Sequence, residues 1–428
     1  MVTRRNFLRL SAVSVVGGSL LAGCSSGGQG DDAAAPVNVY LAQHAWVDSL
    51  KKHLGDFEAE SGRTSNITEL GENQLQQQYQ VKLNAGADDI DVMMFNVSNQ
   101  GAQLISNGWL ADLQSRVSKD GFDWEDFYTP SREMVTGDAG EVWGIPLVSE
   151  RVVLYYRKDL FESAGIAAPT TFDELAAAAE ALHDPDGGVY GFVARGKGNP
   201  AVTPMANILY GYGLDWYDED RQSLLADPKA VEAFTFYGDL LRNFGPPGVL
   251  NMDWPQAVAV FQQGQAAMYI EADSLFANFT DPEASRVVDT VGYAPMPAGP
   301  VRHAASNITS WGLGMAASSP DEERGWSFLS WATSAGTMAE ILKDNNPVTR
   351  ASAWADPEAS SNYPSELVKV INDPGDIEYI THTAPPVVNV GRARDTIGTV
   401  ISTAINGGDV AAAAEAANVE FQAQLDSE

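Results

Sequence analysis

From residue 37 onward the apolar and polar positions alternate in strand-like and helix-like blocks. Val37-Asn38-Val39-Tyr40-Leu41 reads as a strand, and Trp46, Leu50, Leu54 and Phe57 then recur at helical spacing. A short strand near Ile67 precedes a glutamine-rich helix over 72–86. Residues 89–96 (DIDVMMFN) predict a buried strand charged only at its start, and a helix through Leu104 and Ile105 follows. This order predicts an α/β fold with a mainly parallel sheet covered by helices on both faces. Ligands of such sheets sit beyond the carboxyl ends of the strands.

The second half continues the pattern. Residues 142–161 give two strand-like runs separated by Ser149-Glu150. Thr171 and Glu174 have capping-box spacing at the head of a helix whose inner face carries Phe172, Leu175, Ala179 and Leu182. Residues 188–196 predict a strand ending in Arg195, 228–243 a helix, and 254–274 a helix, a glycine turn and a strand with a polar end. A strand over 308–318 and a helix over 321–334 follow. Two final helices are split by Gly407-Gly408, the first with Ile397, Val400, Ile401, Ala404 and Ile405 on one face. No segment repeats at a period of ~20–50 residues, which argues against a solenoid or propeller.

The first 36 residues stand apart. Arg4, Arg5 and Arg9 precede an uncharged run from Leu10 to Ala22, shorter than the ~20 residues a spanning helix needs. A charged start, apolar middle and small-residue exit describe a secretory signal. Thr3–Arg9 also resembles a twin-arginine export signal. Leu21-Ala22-Gly23-Cys24 resembles a bacterial lipobox, in which the cysteine takes a diacylglycerol thioether and becomes the first mature residue. Residues 1–23 are therefore expected to be a signal peptide, Cys24 the lipidation site, and 24–36 a flexible tether of Ser, Gly, Asp, Ala and Pro. Each buried lipid methylene adds ~0.8 kcal/mol, so two chains hold a protein at the outer face of the cell membrane.

Composition narrows the chemistry. The chain of 428 residues is too long for one ordinary core, and two domains are expected. Its 57 acidic against 26 basic residues give a formal charge of −31, which excludes a nucleic-acid partner. A lone cysteine excludes a disulfide framework and a thiolate zinc site. No zincin, nucleophile-elbow, Walker or dinucleotide motif occurs. The five histidines lack metal-ligand spacing, and Asp184–Gly188 lacks the glutamate that closes a calcium loop, so no metal or cofactor is expected. A carboxylate pair for glycoside hydrolysis cannot be picked from so many acids.

Several segments resemble one family in order and spacing: FEAESG (57–62), DVMMFN (91–96), NGWLADL (107–113), GIPLVSE (144–150), LYYRKDLFESAG (154–165), PTTFDELAAAAEAL (169–182), FQQGQAAMYIEADS (261–274) and WGLGMAASSPDEERGWSFLSWATS (311–334). They resemble the extracellular solute-binding proteins of ABC importers, in the sugar- and polyol-binding branch that includes maltose-type and mannitol/sorbitol-type receptors. The resemblance implies a two-lobe periplasmic-binding-protein fold (type II) with three interlobe crossings, near 148–152, 303–308 and 346–352. The lobes would be 37–148 plus 306–346, and 152–304 plus 350–428. It implies a monomeric, non-enzymatic receptor that closes on a sugar or polyol and delivers it to an ABC permease. Alternatives are a receptor for a glycerophosphodiester or oligosaccharide, an extracellular glycoside hydrolase, or an adhesin without a small ligand.

A sugar site needs aromatic platforms and fixed polar groups. Strand ends offer Gln43, His44 and Trp46 after the first strand, Asn96 after the third, Glu150 and Tyr155 around the first crossing, Arg195, Glu271 and Asp273, Trp311, and Arg350 at the third crossing. Trp46 equally fits the helix stripe with Leu50 and Leu54, and Trp254 and Trp331 read as core.

Overall fold

The computed structural model describes residues 35–428 except 120, 302–304 and 373–375. The signal peptide, its arginine pair and the lipobox Cys24 lie outside the described residues. Eight strands form the sheet framework: β1 (Val37–Ala42), β2 (Ser65–Leu70), β3 (Val92–Asn96), β4 (Ile145–Arg157), β5 (Met268–Ala272), β6 (Val291–Ala294), β7 (Ala305–Met315) and β8 (Glu378–Ile380). The path runs β2-β1-β3-β7-β4-β5, with β6 also on β4 and β8 also on β7.

The sheet is mixed, where the alternating pattern predicted a mainly parallel one. β1 pairs parallel with β2 and β3, and β7 with β8, but β7 runs antiparallel to β3 and β4, and β4 antiparallel to β5 and β6. The reason is the route of two long strands. β4 carries the chain out of the β1–β3 half, and β7 carries it back, so they meet head to tail over Ile145–Arg151 and Ile308–Leu313.

β4 is continuous across Ser149-Glu150, which the hydrophobic pattern reads as a break. Ser149 is buried, pairs with Ser310 in the ladder and shares a hydrogen bond with Ser131. Glu150 pairs with Thr309. The polar pair marks the place beyond which β4 serves two cores instead of one, and no turn occurs there. Alternating β4 side chains then feed different cores. Val153 and Tyr155 pack with the cluster built on β1, β3 and the Glu322–Ala332 helix, whereas Val152 and Leu154 pack with Phe192, Met205, Tyr237, Ile270 and Ile397.

Other local readings divide similarly. The helices Glu72–Asn84, Pro228–Phe244, Trp254–Gln262, Glu322–Ala332, Val390–Ile405 and Val410–Leu425 occur where periodicity puts them. The 46–57 stripe is split into Ala45–Lys52 and Leu54–Ser61 at His53, whose backbone leaves the helical region. Residues 188–196 form only isolated bridges, Val189 to Asp184, Tyr190 to Ala266 and Val193 to Tyr269. At the Phe172–Leu182 helix, Thr171 caps Glu174 N, but Glu174 turns to Thr170 and does not complete the box.

One close approach bears on the site below. The Gly198–Gly211 and Val390–Ile405 helices touch at Gly398, where an added Cβ would lie 2.6 Å from the carbonyl carbon of Gly198 and 2.8 Å from the Asn199 nitrogen. Backbone cannot give way as a side chain does, so the helices must part. Gly398→Ala should lower stability by ~1–3 kcal/mol. It should also weaken solute binding, because Asn199 orients Arg394 from across this contact. Chemical denaturation and calorimetric titration check both effects; unchanged values for both would show that the contact is slack.

Candidate functional site

A cavity of about 1580 Å³ lies between the two cores and is lined by residues from both. Such volume exceeds the ~300–1,000 Å³ typical of a small-molecule pocket. On the β1–β3 side, Gln43 and His44 leave the end of β1, and Asn96 ends β3. Glu72, Gln76 and Gln80 recur every four residues on one face of the Glu72–Asn84 helix. Both glutamines donate to Gln103 Oε1 at 3.2 Å, which holds this amide face to the Val97–Ser106 helix. Glu150 and Thr309 reach the cavity from the β4–β7 ladder, together with Trp311.

The opposite wall is built mainly from helix starts. Lys197, Asn199 and Thr203 line it from the head of the Gly198–Gly211 helix. Asp253 caps the Trp254–Gln262 helix, accepting from Trp254 N at 2.7 Å, while Gln256 returns a bond to the cap. That capping box fixes Trp254, which lines the cavity and remains 43 % exposed. Arg394 projects from the Val390–Ile405 helix and is only 9 % exposed. Its Nε donates to Asn199 Oδ1 at 3.0 Å and its Nη2 to Thr203 Oγ1 at 2.9 Å.

The charges on the two walls sense one another. Burial and the like charge of Arg195 pull Arg394 down to about 10, against the pull of Glu72 and Asp253, so it stays cationic at neutral pH. Burial raises Glu72, a shift that Asn99 and Arg394 oppose and Glu150 reinforces. Burial lowers His44 below its usual value, against the pull of Glu150 and Asp48, so its ring is neutral at pH 7. His44 Nδ1 accepts from Trp46 N at 3.1 Å, which leaves the ring proton on Nε2. The ring centre lies 5.3 Å from that of Trp311. Among the described residues no three His, Cys, Asp or Glu side chains gather as a metal site.

Of the side chains expected from sequence, Gln43, His44, Asn96, Glu150, Arg195 and Trp311 line the cavity. Five do not. Trp46 is fully buried on the inner face of its helix. Tyr155 is buried among Tyr269, Phe279 and Tyr293 and donates to Ala272 O at 2.6 Å. Glu271 lies behind the wall, where it grips Arg195 through two bonds of 2.6 and 2.7 Å and so aims that guanidinium. Arg350 is buried with its guanidinium 4.1 Å from the Phe127 ring centre, bonded to Asp126 and to the carbonyls of Phe122, Asp123 and Thr333. Asp273 turns inward to Arg151, taking its backbone N at 3.1 Å and its Nη1 at 3.0 Å. The neighbouring Ser274 lines the cavity instead and donates to Glu150 at 2.6 Å.

Sequence reading also missed Glu72, Asn99, Asn199, Trp254 and Arg394. Two signals pointed to them. The 72/76/80 spacing puts three polar groups on one helical face, and Arg394 interrupts the apolar stripe Val390, Ile397, Ile401. Nothing in the sequence separates Trp254 from a core tryptophan.

Comparison with known proteins agrees with this geometry. The family described as bacterial extracellular solute-binding protein matches residues 44–339. A mannitol-binding protein of Pseudomonas aeruginosa is 28% identical over 67% of this chain and 67% of its own. An erythritol/L-threitol-binding protein of Mycolicibacterium smegmatis is 26% identical over 87% of this chain and 84% of its own. Among solved structures, an ABC transporter solute-binding protein of Agrobacterium radiobacter in complex with ribitol superposes with a TM-score of 0.80 at 25% identity, covering 91% of this chain and 98% of the other. One from Agrobacterium vitis with bound D-mannitol gives 0.77 at 26% identity, covering 92% and 99%.

The inward turn of Asp273 changes what its removal should do. Asp273→Ala leaves Arg151 buried without its carboxylate, a loss that typically costs ~3–5 kcal/mol. Ligand-free stability should fall by that order in urea titration, with solute affinity of the remaining folded protein changed far less. An undiminished stability with lost affinity would return Asp273 to the cavity.

Proposed function

The chain belongs to the family of bacterial extracellular solute-binding proteins, and we propose that it captures a sugar or polyol in the cavity between its lobes and hands it to an ABC permease. The observation that carries this reading is the pairing of aromatic and polar walls across one cavity. Trp254 on one side and Trp311 with His44 on the other offer apolar faces to a carbon skeleton. Glu72, Asn99, Glu150, Asn199, Arg195 and Arg394 offer acceptors and donors to hydroxyls. The lobes are taken as 37–148 plus 306–346 and 152–304 plus 350–428, which supposes that β4 and β7 act as hinge strands and closure brings the walls together. The cavity is read as binding without turnover, so chromogenic glycosides should stay intact in its presence.

Cys24 is read as the attachment point of a lipid anchor at the outer membrane face of the cell, with the protein working as a monomer. Wild type expressed in a lipoprotein-processing host should enter the detergent phase on partitioning, and Cys24→Ser should stay in the aqueous phase. Equal partitioning of both would rule the anchor out.

Thermal denaturation against a panel of neutral polyols and sugars tests the receptor reading. A solute at 100 times its dissociation constant adds ~2.7 kcal/mol of stability. Trp254→Ala should weaken binding of that solute roughly tenfold or more, since burying an aromatic face contributes at least ~1.4 kcal/mol. Its ligand-free melting should be unchanged, because the side chain is already exposed. A panel without any shift would refute the sugar or polyol assignment.

A further inference from the structure

The polar groups of the cavity are sorted by hydrogen-bonding sense. On the β1–β3 wall, Asn99 Nδ2 donates to Glu72 Oε1 at 3.2 Å. A carboxylate only accepts, so the amide must turn its nitrogen to Glu72 and its carbonyl away. That carbonyl oxygen is buried and has no partner among the described residues. Glu72 Oε2 beside it accepts no hydrogen bond from any described residue, and neither Glu72 nor Glu150 has a cation within ion-pair distance among them. Glu150 is close enough to Glu72 to raise it, and neutral His44 brings no positive charge. This wall therefore holds two carboxylates with oxygens open to donors, while Asn99 holds Glu72 in place and its own carbonyl is enclosed.

Across the cavity Arg394 can only donate. It is nine-tenths buried, and no described group engages its Nη1. Arg195 is neutralised by the bidentate Glu271 behind it. With Lys197 included, the cavity lining carries four cations (Lys52, Arg195, Lys197 and Arg394) against five carboxylates (Asp48, Glu72, Glu150, Asp253 and Asp344), and Glu271 lies behind Arg195 besides, so the space carries a residual negative charge. A neutral polyol meets both walls, since each hydroxyl donates once and accepts elsewhere. An ammonium meets the acceptor wall better, because it donates three times and cancels the excess charge.

We propose that Glu72, held by Asn99, and Glu150 form an acceptor subsite that takes a protonated amine in place of a hydroxyl, extending the solutes of this receptor to amino-deoxy polyols and amino sugars. The amine lies toward Glu72 and the remaining hydroxyls toward Arg394. This rests on the sugar or polyol reading of the same cavity. A carboxylate on the solute finds Arg394, yet it must sit within the field of Glu72 and Asp253, which already act on that arginine.

Calorimetric titration of the full chain at pH 7 with two matched trios tests the subsite. One is glucitol, 1-amino-1-deoxyglucitol and gluconate; the other is glucose, 2-amino-2-deoxyglucose and glucuronate. In at least one trio the amine should bind roughly tenfold tighter than the neutral member, as a charge-assisted bond replaces a neutral one, and the acid roughly tenfold weaker. Glu72→Gln, checked for an unchanged melting transition, should bring amine and neutral affinities together. Neutral members binding more tightly than their amines would reject the subsite and leave the receptor standing. An amine advantage that survives in Glu72→Gln would also reject it. Silence from all six compounds rejects the subsite, and silence from the whole neutral panel as well rejects the receptor reading.

Discussion

The antiparallel ladder between β4 and β7 is the constraint on which the cavity depends. Its backbone bonds over Ile145–Arg151 and Ile308–Leu313 join the β1–β3 part of the sheet to the β5–β6 part, and both hydrophobic clusters draw on β4 and β5. Glu150, Thr309 and Trp311 sit directly on it, so their positions are set by ladder register. A slip of one residue would turn every one of these side chains to the other face. The buried Ser149 and Ser310 are tolerated in the ladder because each hydroxyl finds a partner: Ser310 donates to Val148 O at 2.8 Å and Ser149 shares a bond with Ser131.

Around that ladder lies a set of buried arginine pairs that shape the site, of which only Arg195 lines it. Arg151 with Asp273, Arg350 with Asp126, and Arg195 with Glu271 each place a cation within 3.1 Å of a carboxylate in water-poor surroundings. Burial pushes Asp273 up to about 6 even beside Arg151, a measure of how dry that corner is. Pairs of this kind stabilise little on balance, yet losing one partner is costly. Their effect is to fix direction: Glu271 aims Arg195 into the cavity, and Arg151 lies between the rings of Tyr128 and Tyr379, 6.0 Å from each.

This explains which features could be seen in the sequence. Helices with a clean apolar stripe, such as Val390–Ile405, were legible because burial on one face imposes the 3.6-residue period. β4 was not, because its polar centre reads like a turn unless the partner strand is known. Strand ends led to six of the side chains that line the cavity, Asn96 and Trp311 among them. The errors share one cause. An acidic residue at the end of a strand can face solute or reach back to an arginine, and Asp273 differs from Ser274 only in which way the chain turns after β5. Arg394 escaped because its partners Asn199 and Thr203 lie 195 and 191 residues away, and Glu72 because a polar stripe on a helix that faces a cavity reads the same as one that faces solvent. The family resemblance fixed the class of protein but could not choose among these side chains.

The most direct test of a solute held between facing walls is a crystal structure grown with the neutral polyol or sugar that most raises the melting temperature. One solute molecule should lie between Trp254 and Trp311, with hydroxyls donating to Glu72 or Glu150 and accepting from Arg394. A solute bound outside this cavity, or inside it without contact to either wall's charged groups, would contradict the assignment.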